Sequence, residues 1–170
     1  EDNIMMEAPL ISGIAFTRDE AKLTLRGVKD QPGIASSILA PISEANIEVD
    51  MIVQNIGADF STDFTFTVAR ADFELAQSIL TAVSERIGAQ EVLGDERIAK
   101  LSIVGVGMRS HAGVAAQMFD ILAKESINIQ MISTSEIKIS VVIDEKYLEL
   151  AVRALHAGFG LEADLGAELA

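Results

Sequence analysis

Apolar Leu23, Leu25 and Val28 alternate with polar Thr24 and Arg26, a period of two that predicts a half-buried strand running out into a polar loop. Beyond Pro32 and Gly33 the period changes. Ile34, Ile38, Leu39 and Ile42 fall on one stripe of a helix. Residues 47–53 read as a second strand, and Phe64, Phe66 and Val68, alternating with Thr65 and Thr67, as a third. Phe73, Leu75, Ala76, Ile79, Leu80 and Val83 are spaced for a second helix ending near Gly88, after which residues 91–93 supply a short closing strand. The order is βαββαβ, the ferredoxin-like motif, in which both helices cover one face of an antiparallel sheet.

The pattern is then written again. Lys22-Leu23-Thr24-Leu25-Arg26-Gly27-Val28 returns as Lys100-Leu101-Ser102-Ile103-Val104-Gly105-Val106, 78 residues on (105 − 27). Pro32-Gly33-Ile34-Ala35 returns as Ala112-Gly113-Val114-Ala115, and Asn46-Ile47-Glu48-Val49-Asp50-Met51-Ile52 as Ser126-Ile127-Asn128-Ile129-Gln130-Met131-Ile132, both 80 on (113 − 33). The second copy predicts strands at 99–106, 127–134 and 136–143 and helices at 113–126 and 145–159. Its tail, 161–170, is rich in alanine, leucine and acids and offers no last strand. A spare one exists, because Leu10, Ile11, Ile14 and Phe16 form an apolar segment ahead of the first copy. The expectation is an α+β chain of two ferredoxin-like domains in tandem, the first at 18–95 and the second built from 10–17 plus 96–165. Two such units offer pseudo-symmetric surfaces between which a small ligand can bind.

Composition removes several function classes. The 13 basic and 26 acidic residues leave a net charge of −13, a field that repels nucleic acid and anionic membrane. There are no cysteines, so disulfides, thiolate nucleophiles and thiolate metal sites are excluded, which fits a reducing cytoplasm. No apolar run approaches the ~20 residues of a membrane span, so a soluble chain is expected. Starting at Glu1, with Met5 and Met6 soon after, the sequence reads as a region of something longer.

Candidate chemistry gathers between first strand and first helix. Gly33 lets backbone approach a ligand closely, the amides of Ile34 and Ala35 at the helix start can hold a carboxylate, and Asp30 can pair with an ammonium or accept from a hydroxyl. An amino acid needs both kinds of partner. Asp30-Gln31-Pro32-Gly33 is equally the composition of an ordinary turn and helix cap. His111 and His156 are isolated, which argues against a metal site. Gly105-Val106-Gly107-Met108-Arg109-Ser110 lacks the third glycine of a dinucleotide fingerprint and reads as a strand leaving the sheet. No nucleophile is assembled with a base, so no active site is expected.

With its Pro-Gly or Ala-Gly loop, the repeated unit resembles the ACT domain, a module that binds amino acids and regulates metabolic enzymes. Val49-Asp50-Met51-Ile52-Val53-Gln54-Asn55, Asp63-Phe64-Thr65-Phe66-Thr67-Val68, Ile132-Ser133-Thr134-Ser135-Glu136-Ile137-Lys138-Ile139-Ser140-Val141 and Arg153-Ala154-Leu155-His156 are similar to the tandem ACT region of bacterial aspartate kinase. The resemblance implies a regulatory portion without a catalytic site, whose ATP and Mg²⁺ belong to a kinase domain or subunit not contained in these residues. It implies no cofactor here, L-threonine and/or L-lysine as effector, and a homodimer formed through the ACT domains. It also implies feedback inhibition, with a ligand-free assembly module as the alternative. In the family the effector lies between two ACT units, which adds Gln54, Asn128 and Ile129 to Asp30, Gly33, Ile34 and Ala35 in the first site. The second, by pseudo-symmetry, would use Ser110, His111, Ala112, Gly113, Val114 and Ala115 with Ile47, Val49 and Asp50, together with Thr134 and Ser135. It has no acid in the place of Asp30. Ile34, Ile47, Val49 and Ile129 read first as core or interface residues that also line a site, and Gln54 and Asn128 could simply satisfy strand-edge backbone.

Overall fold

The alternating segments form two four-stranded antiparallel sheets, seen in a computed structural model that describes residues 10–57, 59–106 and 111–161. Strand β1 (Leu10–Thr17) comes first. The first copy follows as β2 (Ala21–Lys29), α1 (Ile34–Glu44), β3 (Val49–Ile56), β4 (Ser61–Val68), α2 (Phe73–Ile87) and β5 (Glu91–Asp95). The second copy is β6 (Ile98–Val106), α3 (His111–Lys124), β7 (Met131–Thr134), β8 (Lys138–Asp144) and α4 (Leu148–Gly158). One sheet runs β3-β4-β2-β5 and the other β7-β8-β6-β1. β1 therefore holds in the second sheet the place that β5 holds in the first, with Ile14 opposite Ile103 and Phe16 opposite Leu101. The chain divides accordingly into two compact units, 19–96 in one, and β1 with the residues from Arg97 on in the other.

Each unit has its own core, because the inward residues of the sheet meet one stripe of each helix. In the first, Leu23, Leu25, Phe64 and Phe66 lie under Ile34, Ile38 and Ile42 of α1 and Ala76, Leu80 and Val83 of α2. In the second, Ile14, Leu101, Ile103, Ile139 and Val141 meet Val114, Met118 and Leu122 of α3 and Leu148, Ala151 and Leu155 of α4. Pro41 sits inside α1 and has no N–H for the carbonyl of Ser37; Arg86 Nη2 of α2 reaches that oxygen at 3.5 Å.

Two expectations about strand ends are corrected by the way the preceding helices stop. The strand expected over 127–134 begins only at Met131, and the one expected over 47–53 begins at Val49. Asn46 and Ser126 take left-handed φ values of 60° and 59°. The Asn46 N–H donates to Ser43 O (2.9 Å) and the Ile47 N–H to Ile42 O (3.3 Å). Ser126 and Ile127 repeat this on Ala123 O (2.9 Å) and Leu122 O (3.0 Å). Both are Schellman ends, which satisfy the last helix carbonyls and drop the next apolar residue inward. Ile47 and Ile127 are accordingly buried and unavailable to a strand. The helix expected over 145–159 starts as a 3-10 turn at Glu145–Tyr147, capped by Asp144 Oδ1 accepting from the Lys146 amide at 3.0 Å. Gly105 and Val106 end β6 opposite Ile11 and Leu10, where the strand expected over 99–106 also ends. His156 packs at the end of α4 as expected, buried, with Nδ1 2.9 Å from Leu161 O.

Candidate functional site

The loop between β2 and α1 is shaped from both ends. At Gly27 the chain takes φ 67°, and the pairing of β2 with β4 slips between Leu25 and Val28. The Gly27 amide donates to Asp63 Oδ1 at 2.9 Å across this slip, and β2 then runs on to Lys29, paired with Ser61, before the exposed Asp30. At the other end Gly33 has φ 87°, a conformation glycine adopts without strain, and it begins α1 with no side-chain cap. The Ile34 amide turns back to Gln31 O at 3.2 Å, while Ser37 donates to Gly33 O at 3.0 Å. Between them the amides of Ala35 and Ser36 have no preceding helical carbonyl, as at any helix start, and with the positive end of the dipole they suit a carboxylate.

Asp30 is exposed beside this helix end, and its own amide donates to Phe60 O at 3.0 Å. Phe60 lies in the connection from β3 to β4 with φ 62°, its side chain 82% exposed. That connection is tied down at both sides. The Gly57 amide donates to Ser61 O (2.8 Å), and Asp59 Oδ1 accepts from Ser61 Oγ (2.6 Å) and the Ser61 amide (3.2 Å). These bonds hold the Asp59 carboxyl below its usual range. Nothing in the residue pattern signals the clamp on Asp30, because its acceptor is a backbone carbonyl.

Gln54 is exposed on β3 opposite Phe64, with β4 standing between its strand and β2. Earlier in β3 the register slips between Val49 and Ile52, and the Met51 amide is met by Thr67 Oγ1 at 3.0 Å; Asp50, beside it, is exposed. Ile34 and Ile47 are buried in the first core and Ala35 and Val49 pack partly against it. Asn128 and Ile129 lie between α3 and β7 in the other unit, Asn128 exposed and Ile129 packed on that unit's core. Of the second set, Ser110 falls outside the described residues, and His111 and Ala112 open α3. Gly113 is exposed in its first turn, Val114 is core and Ala115 half-buried. Thr134 ends β7 exposed, and the Ser135 amide donates to Lys138 O at 2.8 Å in the turn to β8. Each candidate set thus draws on residues of both units. Among the described residues no three His, Cys, Asp or Glu come together as metal ligands, and no helix is long and apolar enough to cross a membrane.

Comparison with known proteins agrees with this architecture. The ACT-domain family model matches residues 24–83 and again 101–159. Aspartate kinase of Pseudomonas putida is 72% identical over 158 residues, covering 93% of this chain and 38% of that protein. The chain therefore spans about two fifths of the length of the curated relatives it matches. A crystal structure of aspartokinase alpha and beta subunits superposes with a TM-score of 0.84 at 55% identity, over 89% of this chain and 99% of the other. The ligand-free regulatory subunit of aspartate kinase from Thermus thermophilus gives 0.83 at 41% identity, over 88% and 99%. Duplicated sheets, matched loops and these likenesses agree: the chain belongs to the ACT-domain family, as the tandem-ACT regulatory region of an aspartokinase.

Proposed function

We propose that this chain senses end-product amino acids, L-threonine and/or L-lysine, and feeds their level back on the phosphorylation of aspartate by an attached kinase domain or subunit. The observation that carries this is the β2–α1 loop: an uncapped helix start opened by Gly33, beside an exposed Asp30 whose backbone is held by Phe60. Helix amides answer a carboxylate and Asp30 answers an ammonium or hydroxyl, with Gln54, Asn128 and Ile129 completing the first site. Ser110 to Ala115 with Ile47, Val49, Asp50, Thr134 and Ser135 would form a second. A ligand that favours the inhibited arrangement by ~1–3 kcal/mol changes activity or affinity about 5- to 150-fold. The chain is further read as a homodimer through the ACT domains, a reading supported by exposed Ile52, Val53 and Ile56 on edge strand β3 and Ile132 on edge strand β7.

Thermal unfolding with threonine, lysine, both, methionine or aspartate tests the reading, since a ligand at a hundredfold excess over its Kd adds about 2.7 kcal/mol. The expected result is a selective upward shift with threonine or lysine that Asp30→Ala abolishes. A Tm that rises with chain concentration is expected of the dimer, and a constant one contradicts it. No shift with any amino acid would leave the chain a ligand-free assembly module of the kinase.

A further inference from the structure

A groove of about 410 Å³ lies in the second unit, where the end of β1 meets the first two turns of α4, and none of its lining residues belongs to either candidate set. Its lining is Phe16, Arg18, Leu148, Glu149, Val152 and Arg153. The floor is apolar and anchored: Leu148 is buried in the core, and Phe16 and Val152 pack partly against it. The rim is charged. Arg18, Glu149 and Arg153 are all exposed, and among the described residues none of these three side chains makes an ion pair or hydrogen bond. Glu149 and Arg153 stand four apart on one helix face, where opposite charges ordinarily meet, yet they do not pair here.

We propose that this groove binds a small zwitterion with an aliphatic body, the chemistry of a free apolar amino acid. Two guanidiniums, Arg18 and Arg153, take the carboxylate, for which their planar donor geometry is suited. Glu149 takes the ammonium, and the aliphatic side chain lies on Phe16, Leu148 and Val152. The volume is in the range of small-molecule sites, roughly 300–1,000 Å³. A polyanion fits less well, because the adjoining groove sets Asp144 and Glu145 among Arg97 and Lys146. Exposed ion pairs contribute little each and are screened by salt, so the affinity expected is about millimolar and the apolar floor supplies the selectivity.

The test is an amide-resolved NMR titration of the isotope-labelled chain with L-leucine. Isocaproate, which lacks the ammonium, and isoamylamine, which lacks the carboxylate, are run beside it. L-leucine is expected to shift the amides of Arg18 and residues 148–153 saturably, and the two truncated probes to do so more weakly. Arg153→Gln and Glu149→Gln, both on the surface, should each weaken the response about fivefold. Asp30→Ala should leave it unchanged, which separates this site from the effector loop: loss of the threonine or lysine response in that variant bears on the loop alone. Absence of saturable shifts at Arg18 and 148–153 would overturn the proposal. So would shifts confined to the Asp30 loop, or three probes acting alike and indifferent to Arg153→Gln.

Discussion

Asn46 and Ser126 occupy the same left-handed position at the ends of α1 and α3, a conformation that costs a residue with a Cβ about 1–2 kcal/mol. Asparagine relieves part of that cost through its short polar side chain, and serine relieves less. Ser126→Gly is therefore expected to stabilise the second unit by about 0.5–1 kcal/mol, the strain removed less the extra freedom of glycine in the unfolded chain. A higher urea midpoint with an unchanged slope would show it; a lower one would mean that the serine side chain does something there that its backbone geometry does not reveal. Phe60 carries a similar cost at φ 62°, and there the strained backbone presents the carbonyl that holds Asp30.

Among the elements, β1 is the one that joins its unit from ahead of the other in the chain. Ile14 is 1% exposed and belongs to the core of a unit whose other residues begin at Arg97. Ile14→Ala should cost the second unit about 2–5 kcal/mol and leave the 19–96 unit protected, as read by hydrogen exchange. Loss of protection in both at once would show that the two melt together. Much of this level was legible from the residues. Period-two runs at Leu23–Leu25 and Phe64–Phe66, the spacing of α1 and the stray apolar segment before the first copy all describe side chains sorting to one face, and that sorting is what a sequence records. The start of β7 was not, because Ile127-Asn128-Ile129-Gln130 alternates as a strand does and only the hydrogen bonds that close α3 decide against it. The grip of Phe60 on Asp30 is backbone to backbone. The groove at Arg18 joins a residue near the start of the chain to one helix near its end, and no spacing rule links them.

At the scale of the whole molecule, the chain passes from one unit to the other twice, between 18 and 19 and again between 96 and 97. Any rearrangement that follows ligand binding has to be accommodated at both crossings. Both connections are covalent, but only the first leaves from a strand that is held in the sheet of the residues beyond Arg97, where β1 pairs along β6 from Leu10 to Thr17. A protease that cleaves the backbone at 96–97 would therefore make two fragments on a denaturing gel and still a single species on a native one, because the piece ending at Glu96 stays stitched into the piece that begins at Arg97. Fragments that part without denaturant would refute this. Held that way, the regulatory region would survive a single cut with its fold intact.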